Sequence, residues 1–275
     1  SFLPLERITE AAGSISDGDD LSARLDLRRG PREMRRLART FDGMFARLET
    51  SFLSKKQFTA DASHELRTPV AVILAECDRA RRKAETKEDF LASINVIEQQ
   101  GNKMNTLIEQ LLSLTRIQQG TEKYPLRVCD LSGFVDACCD EFVPADERGM
   151  TLETDIEPGV AAAYNPSLLS RAMFNLMQNA YKYGREGGNI RVSLCRENGC
   201  AVISVKDDGP GIPRAEQEKI WQRFYRCDTS RAEGGTGLGL SLVREIALVH
   251  HARAEVVGEP GKGCDFRIVL PPVKN

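Results

Sequence analysis

Apolar side chains in the first 120 residues recur every three or four positions, the spacing of one helix face. Leu5, Ile8, Ala12 and Ile15 form a first stripe, and Ser16-Asp17-Gly18-Asp19-Asp20 breaks it with turn-forming residues. A second stripe starts near Pro31, a favoured first-turn residue. It runs through Met34, Leu37, Phe41, Met44, Phe45 and Leu48 as a coiled-coil-like seam, and continues through Phe52 and Phe58. The stretch 52–118 predicts a helical hairpin. One arm carries Phe58, Ala62, Leu66, Val70, Ile73, Leu74 and Cys77. The other carries Leu91, Ile94, Ile97, Met104, Leu107, Ile108, Leu111, Leu114 and Ile117, with the turn inside the charged segment 79–89. Two such seams exceed what one hairpin can bury, so two chains are expected to pair as a four-helix bundle. Pro69 sits inside the first arm, removes one backbone hydrogen bond and is expected to kink it.

From about residue 121 the period shortens. β-like runs occur at Leu126–Cys129, Thr151–Thr154, Ile190–Cys195, Ala201–Lys206 and Phe266–Leu270, with an antiparallel-looking pair across 190–206. Helical stretches lie near 131–147, 166–183 and 236–251. Strands mixed with helices predict an α+β sandwich. Glycines crowd into 184–188, 209–211 and 234–239, where backbone must turn or approach a ligand.

Composition narrows the classes. Lys+Arg 38 against Asp+Glu 40 leaves a net charge of −2, without the basic excess of a nucleic-acid binder. The longest unbroken apolar run, Val70–Ala75, is far below the roughly 20 residues of a membrane span. Ser1–Arg7 is not the basic lead-in of a signal peptide. The chain starts without Met inside an amphipathic pattern, as a piece of something longer would. Cys77, Cys129, Cys138, Cys139, Cys195, Cys200, Cys227 and Cys264 contain no Cys-x-x-Cys pair, so free thiols are expected. The vicinal pair Cys138–Cys139 leaves a soft-metal or oxidant-sensing alternative open. Arg28, Arg29, Arg32, Arg35, Arg36 and Arg39 read as a solvated helix face, or as a face attracted to an anionic membrane surface.

Four segments carry chemistry. His64 lies in Ser63-His64-Glu65-Leu66-Arg67-Thr68-Pro69, and the seam positions Ala62 and Leu66 turn its ring outward. Glu65 can orient the ring and accept its proton, leaving the other nitrogen nucleophilic. Thr68, one turn on, could hold a water. A zinc-protease reading fails because position 68 is not histidine. Asn175 and Asn179 share one helix face, and two amide oxygens suit a Mg²⁺ that also holds phosphates. Lys182 adds a point charge for phosphate. Asp207-Asp208-Gly209-Pro210-Gly211 follows a strand, where a carboxylate can accept a hydrogen bond from an exocyclic amine. Gly234-Gly235-Thr236-Gly237-Leu238-Gly239-Leu240 runs into a helix and presents backbone N–H groups to phosphate. Between these lies a polar, aromatic span with Trp221, Arg223, Phe224, Tyr225, Arg226 and Arg231, suited to a mobile lid.

In order and spacing these segments resemble the boxes of bacterial sensor histidine kinases. Ser63–Pro69 resembles the phospho-acceptor box, Asn175–Tyr183 the asparagine box and Asp207–Gly211 the first glycine box. Arg223–Arg226 resembles the phenylalanine box and Gly235–Gly239 the second glycine box, while residues 4–53 resemble a HAMP linker module. The resemblance implies a multidomain fold: an all-α HAMP coiled coil over 1–53, a dimeric helical-hairpin phosphotransfer bundle over 54–120, and an α+β ATP-binding sandwich of the GHKL type over 121–275. It implies phosphorylation of His64 from Mg-ATP with Glu65 as base, transfer to an aspartate of a response-regulator receiver domain, and Thr68 placing water for dephosphorylation. It implies that Asn179 and Asn175 hold Mg²⁺ and that Asp207 binds the adenine amine, with Gly209 and Gly211 in its loop. Lys182, Tyr183, Phe224 and Arg226 would then meet the nucleotide, and Gly235, Thr236, Gly237, Leu238 and Gly239 would line its phosphates. It further implies a homodimer, the cytoplasmic portion of a bacterial inner-membrane protein, with a transmembrane sensor segment upstream of this chain. The helix after the second glycine box ends in His250-His251-Ala252, not in the usual His-Gly-Gly, so its glycine cap is missing. Two other classes share parts of this pattern. A catalytically dead scaffold would have lost a box residue, and none is lost. An ATP-driven clamp would not need His64, Glu65 and Thr68 on a bundle helix.

Overall fold

The computed structural model describes residues 24–25, 31–83, 85–120, 123–142, 148–227 and 235–273. The chain divides into two compact units, Ser1–Thr68 and Pro69–Asn275. The stripe at Leu5, Ile8, Ala12 and Ile15, the turn 16–20, Arg28, Arg29, Arg231 and Gly234 lie outside the described residues.

Helix α1 spans Arg32–Lys83 and runs through Pro69 as one helix. Its first turn closes on Pro31, whose carbonyl accepts from Arg35 N–H at 3.1 Å. In the first unit, Leu25 packs with Ala38, Phe45 and Phe41 as a small apolar cluster. The Leu25 N–H donates to Asp42 Oδ1 at 2.7 Å, and Arg24 pairs with Glu49. Arg32, Arg36 and Arg39 are exposed on the side of α1 away from Ala38 and Phe45.

Helix α2 spans Lys87–Gln118 and opens with a reciprocal cap between Thr86 and Asp89. That cap places the hairpin turn within the expected 79–89 segment and satisfies two N–H groups that a helix start leaves open. Phe52, Val70, Leu74, Leu91, Ile94 and Ile108 stay exposed, so a large share of the two seams is uncovered in a single chain. No helix among the described residues is long and apolar enough to cross a membrane.

The second unit continues as β1 (Arg127–Asp130), α3 (Leu131–Glu141), β2 (Thr151–Ile156), β3 (Ala161–Tyr164), α4 (Pro166–Tyr183), β4 (Asn189–Glu197) and β5 (Cys200–Lys206). A 3-10 turn at Lys219–Trp221, α5 (Gly239–Val249), β6 (Arg253–Gly258) and β7 (Cys264–Leu270) complete it. The main sheet has the order β2-β4-β5-β7-β6. β2 runs parallel to β4 and the other neighbours pair antiparallel, including the β4–β5 hairpin with Arg191 opposite Lys206. β1 and β3 form a separate ribbon. One sheet face is apolar: Ile190, Val192 and Leu194 of β4, Ile203 and Val205 of β5, and Cys264, Phe266, Ile268 and Leu270 of β7 are buried. The α3–α4–α5 layer packs against it. Leu168, Leu169, Ala172, Met173, Leu176, Met177 and Ala180 of α4 are all buried. Each fully buried Leu or Met there contributes about 1.5–3 kcal/mol.

Two differences from the pattern reading have physical causes. The third helix stops at Glu141, not near 147; Phe142 N–H closes it on the Cys138 and Cys139 carbonyls. Strands β3 and β6 escaped the pattern because β3 offers only Tyr164 after three alanines, and β6 only Val256 and Val257 beside Arg253, Ala254, Glu255 and Gly258, few of the β-branched and aromatic residues that mark strands.

Candidate active site

Helix α4 supplies the first wall. Asn165 caps it, accepting Leu168 N–H at 3.2 Å, and Pro166 takes the first helical position. Burial of Leu176 and Ala180 orients the helix, which leaves Asn175 and Asn179 half-buried on one side. Asn175 Nδ2 donates to the Arg171 carbonyl at 2.8 Å, so its Oδ1 is left as an acceptor. A Cβ on Gly239 would come within 2.9 Å of that Oδ1, so glycine lets the start of α5 pass close to Asn175. At the other end of α4, Lys182 Nζ donates to Tyr183 Oη at 3.1 Å and lies 4.7 Å from that ring's centroid. A Cβ on Gly235 would sit 2.6 Å from Lys182 Nζ. The asparagine helix and the glycine loop are thus brought together at both ends.

The second wall follows β5. Asp207 is only 4% exposed. Its Oδ1 accepts N–H groups from Gly209 at 2.9 Å and Cys264 at 3.2 Å. Burial raises the carboxyl's pKa, and these two N–H donors oppose that shift. Gly209 is required because a Cβ would stand 2.3 Å from the Tyr183 carbonyl. Gly211, at φ +73°, passes the Glu259 carbonyl equally tightly. Asp208 reinforces the same corner, accepting the Arg185 and Asn189 N–H groups at 3.1 Å.

The glycine loop closes the site. Leu238 is buried and precedes α5 without a side-chain cap, so the first-turn N–H groups of α5 are not taken by a capping side chain. Thr236 Oγ1 accepts Leu238 N–H at 3.3 Å and donates to Gln110 Oε1 of α2 at 2.5 Å. Phe224 adopts φ +60° and donates its N–H to the Gly237 carbonyl at 2.9 Å. A left-handed Phe costs about 1–2 kcal/mol, and such strain concentrates at functional sites. Arg226 is half-buried two residues on. Glu245 Oε1 of α5 accepts both Gln118 Nε2 at 3.1 Å and an Arg223 N–H at 3.2 Å.

Among the described residues, no group of three or more His, Cys, Asp or Glu side chains gathers as a metal cage. Two neutral amide oxygens beside uncapped N–H groups fit a Mg²⁺ that keeps waters and arrives on phosphates. The donor set therefore suits the metal the sequence implied, which Asn175 and Asn179 would hold.

His64, Glu65 and Thr68 lie on α1 in the first unit, all exposed. Thr68 Oγ1 donates to the His64 carbonyl at 3.4 Å, as its position one turn on requires. No hydrogen bond joins the His64 and Glu65 side chains among the described residues.

Three family models match the chain: the HAMP domain over residues 3–50, the His Kinase A (phospho-acceptor) domain over 54–120, and the histidine kinase-, DNA gyrase B-, and HSP90-like ATPase over 164–274. The chain belongs to the sensor histidine kinase family. Among its relatives, the sensor histidine kinase RppB of Synechocystis is 37% identical over 226 residues, covering 80% of this chain and 50% of that protein. The sensor protein CutS of Streptomyces coelicolor is 34% identical over 274 residues, covering 98% of this chain and 65% of that protein. This chain therefore spans about half to two thirds of the length of these relatives. Among solved structures, histidine kinase ThkA in complex with response regulator protein TrrA aligns with a TM-score of 0.67 at 21% identity, over 82% of this chain and 64% of that one. That likeness supports the fold: helices followed by a mixed-sheet sandwich.

Sequence reasoning missed several parts of the candidate site. Cys264 supplies an N–H to Asp207, and Gly263 at φ +81° lets the last hairpin approach, since a Cβ would stand 1.9 Å from the Asp207 carbonyl. The Gly261-Lys262-Gly263 doublet was the available signal. Gln110 and Glu245 carried none. Cys138 and Cys139 are buried thiols, and burial pushes Cys139 up to about 12. That environment favours the inert, protonated reading of the vicinal pair.

Proposed function

We propose that this chain is the kinase portion of a membrane-associated sensor. It transfers the γ-phosphoryl group of Mg-ATP to His64 and passes it to an aspartate of a response-regulator receiver domain, which it also dephosphorylates. One observation carries this reading. The amide pair of α4, Lys182, buried Asp207 and the uncapped start of α5 converge within the unit whose ATPase-like portion matches the family model. Asp207 accepts the adenine amine, while Asn175 and Asn179 hold Mg²⁺ on the phosphates. Lys182 and Arg226 offset the phosphate charge, and the α5 N-terminus adds its N–H groups and dipole. Catalysis of phosphoryl transfer is mainly positioning and charge stabilisation. The exposed imidazole of His64 is the nucleophile, Glu65 takes its proton, and Thr68 holds the water that clears the receiver aspartate.

The uncovered apolar seams of α1 and α2 support a homodimer, which light scattering should report as about twice the mass of one chain. The upstream partner is a transmembrane sensor segment, in keeping with the sensor proteins among the relatives. Autophosphorylation with radiolabelled ATP tests the whole reading. The wild-type chain should take acid-labile label, and His64→Gln should take none. Label retained in His64→Gln would move the acceptor elsewhere. Nucleotide binding with no label in either chain would favour an ATP-driven clamp, and no binding at all a scaffold.

A further inference from the structure

An α-helix leaves its last carbonyls without intrahelical partners, and in α4 these fall at the edge of the nucleotide site. Ala180 O accepts Gly184 N–H at 2.8 Å. The next carbonyls are gathered by a side chain from outside the helix. Arg148 Nη1 donates to the Tyr181 carbonyl at 2.5 Å and to the Lys182 carbonyl at 2.6 Å, and its Nη2 donates to the Gly184 carbonyl at 2.8 Å. The remaining one, Tyr183 O, is the atom that Gly209 of the Asp207 loop approaches. Arg148 also accepts Gly187 N–H on its own carbonyl at 2.8 Å, and its guanidinium lies 5.7 Å from the Tyr181 ring centroid. One half-buried residue, just before β2, therefore holds both the last turn of α4 and the loop that leaves it.

We propose that Arg148 is a positioning residue for nucleotide binding. It fixes the last turn of α4 so that Lys182 and Tyr183 project into the site and Tyr183 O stays seated against Gly209. The inference rests on the nucleotide site proposed above. It adds a residue that touches no nucleotide and acts through Lys182. Planar geometry matters here: a guanidinium forks to several carbonyls at once, whereas a lysine ammonium is a single point charge. The positive charge also opposes the negative end of the helix dipole, where an anionic ligand would otherwise be repelled. Asn175 and Asn179 lie one to two turns earlier, so loss of the fork frays the Lys182 end and spares the amide pair.

A merely structural arginine would lower stability without a preference for any site residue. A double-mutant cycle on the full chain separates the two, with Mg-ATP affinity measured by calorimetry. Arg148→Gln should weaken Mg-ATP about tenfold, the scale of one charge-assisted contact. In a Lys182→Ala background the same substitution should cost less than about twofold, because the group it positions is gone. Arg148→Lys, which keeps charge but cannot fork, should be about threefold weaker than wild type. Full additivity in the cycle would overturn the proposal, as would wild-type affinity in Arg148→Gln. If the glutamine variant does not fold, wild-type affinity in Arg148→Lys would overturn it instead. Asn179→Ala is the control for the underlying site. Undiminished binding in both Asn179→Ala and Lys182→Ala would sink the site itself, whereas weakened binding there with unchanged Arg148 variants would sink only the positioning role.

Discussion

Asp207→Asn isolates a single hydrogen bond. Both structural N–H donors, from Gly209 and Cys264, fall on Oδ1, and no hydrogen bond reaches Oδ2 among the described residues. Asparagine can keep its carbonyl oxygen on those two donors. Its NH₂ then occupies the place of Oδ2 and faces the exocyclic amine of adenine as donor against donor. The nucleotide loses one charge-assisted bond, about 1.5–3 kcal/mol, or about 10- to 150-fold in dissociation constant. A base with a 6-oxo group should lose far less, because the new NH₂ can donate to it. The empty protein should not suffer. Burial raises the Asp207 carboxyl above 3.8, so the folded state holds this proton more firmly than the unfolded chain. Stability therefore falls as pH rises through that window, and the cost remains at pH 7. Asparagine removes the cost. Calorimetric titration of ATP and GTP into both proteins, with melting curves of the nucleotide-free forms, checks each part. ATP affinity unchanged within twofold would refute the adenine contact. A large drop in nucleotide-free melting temperature would refute the assumption that Oδ1 alone serves the fold.

His251 adopts φ +53° where the family's helix carries glycine; His251→Gly should stabilise the chain by about 0.5–1 kcal/mol, the left-handed cost less the entropy that glycine brings, read as a rise in melting temperature. Buried His250 accepts Asn165 N–H on Nε2 at 3.0 Å, which leaves the proton on Nδ1 for the Ile246 carbonyl at 2.7 Å. Burial lowers its pKa below 6.5, so the unfolded chain takes the proton first. Stability should fall as pH drops through about 6.5 and level off below the folded value; urea unfolding between pH 7.5 and 5.5 should show a slope that His250→Gln flattens, and an equal slope in both proteins would assign it elsewhere. In Gly237→Ala the new Cβ would stand 2.7 Å from the Phe224 backbone at φ +67°; Mg-ATP affinity should drop at least tenfold, and retained affinity would show that the loop tolerates a different path.

Element type and order were legible in the chain because they follow local periodicity. The seams of α1 and α2, the β4–β5 hairpin and the helix carrying Asn175 and Asn179 each state their period within a dozen residues. The glycine-rich segments were legible as well, since glycine clusters have few other uses. Their reasons were not. Gly209 is explained only by the Tyr183 carbonyl, Gly235 by Lys182, Gly239 by Asn175 and Gly263 by Asp207, all contacts between segments distant along the chain. The same limit hid Arg148, whose partners lie more than thirty positions away, and Gln110, which meets Thr236 across 126 positions. A sequence displays its side chains in chain order, so it reports what each stretch can do alone. Which carbonyl needs a donor, and which backbone must pass within 3 Å of another, is decided only when the sheet, its helical layer and α2 are packed together.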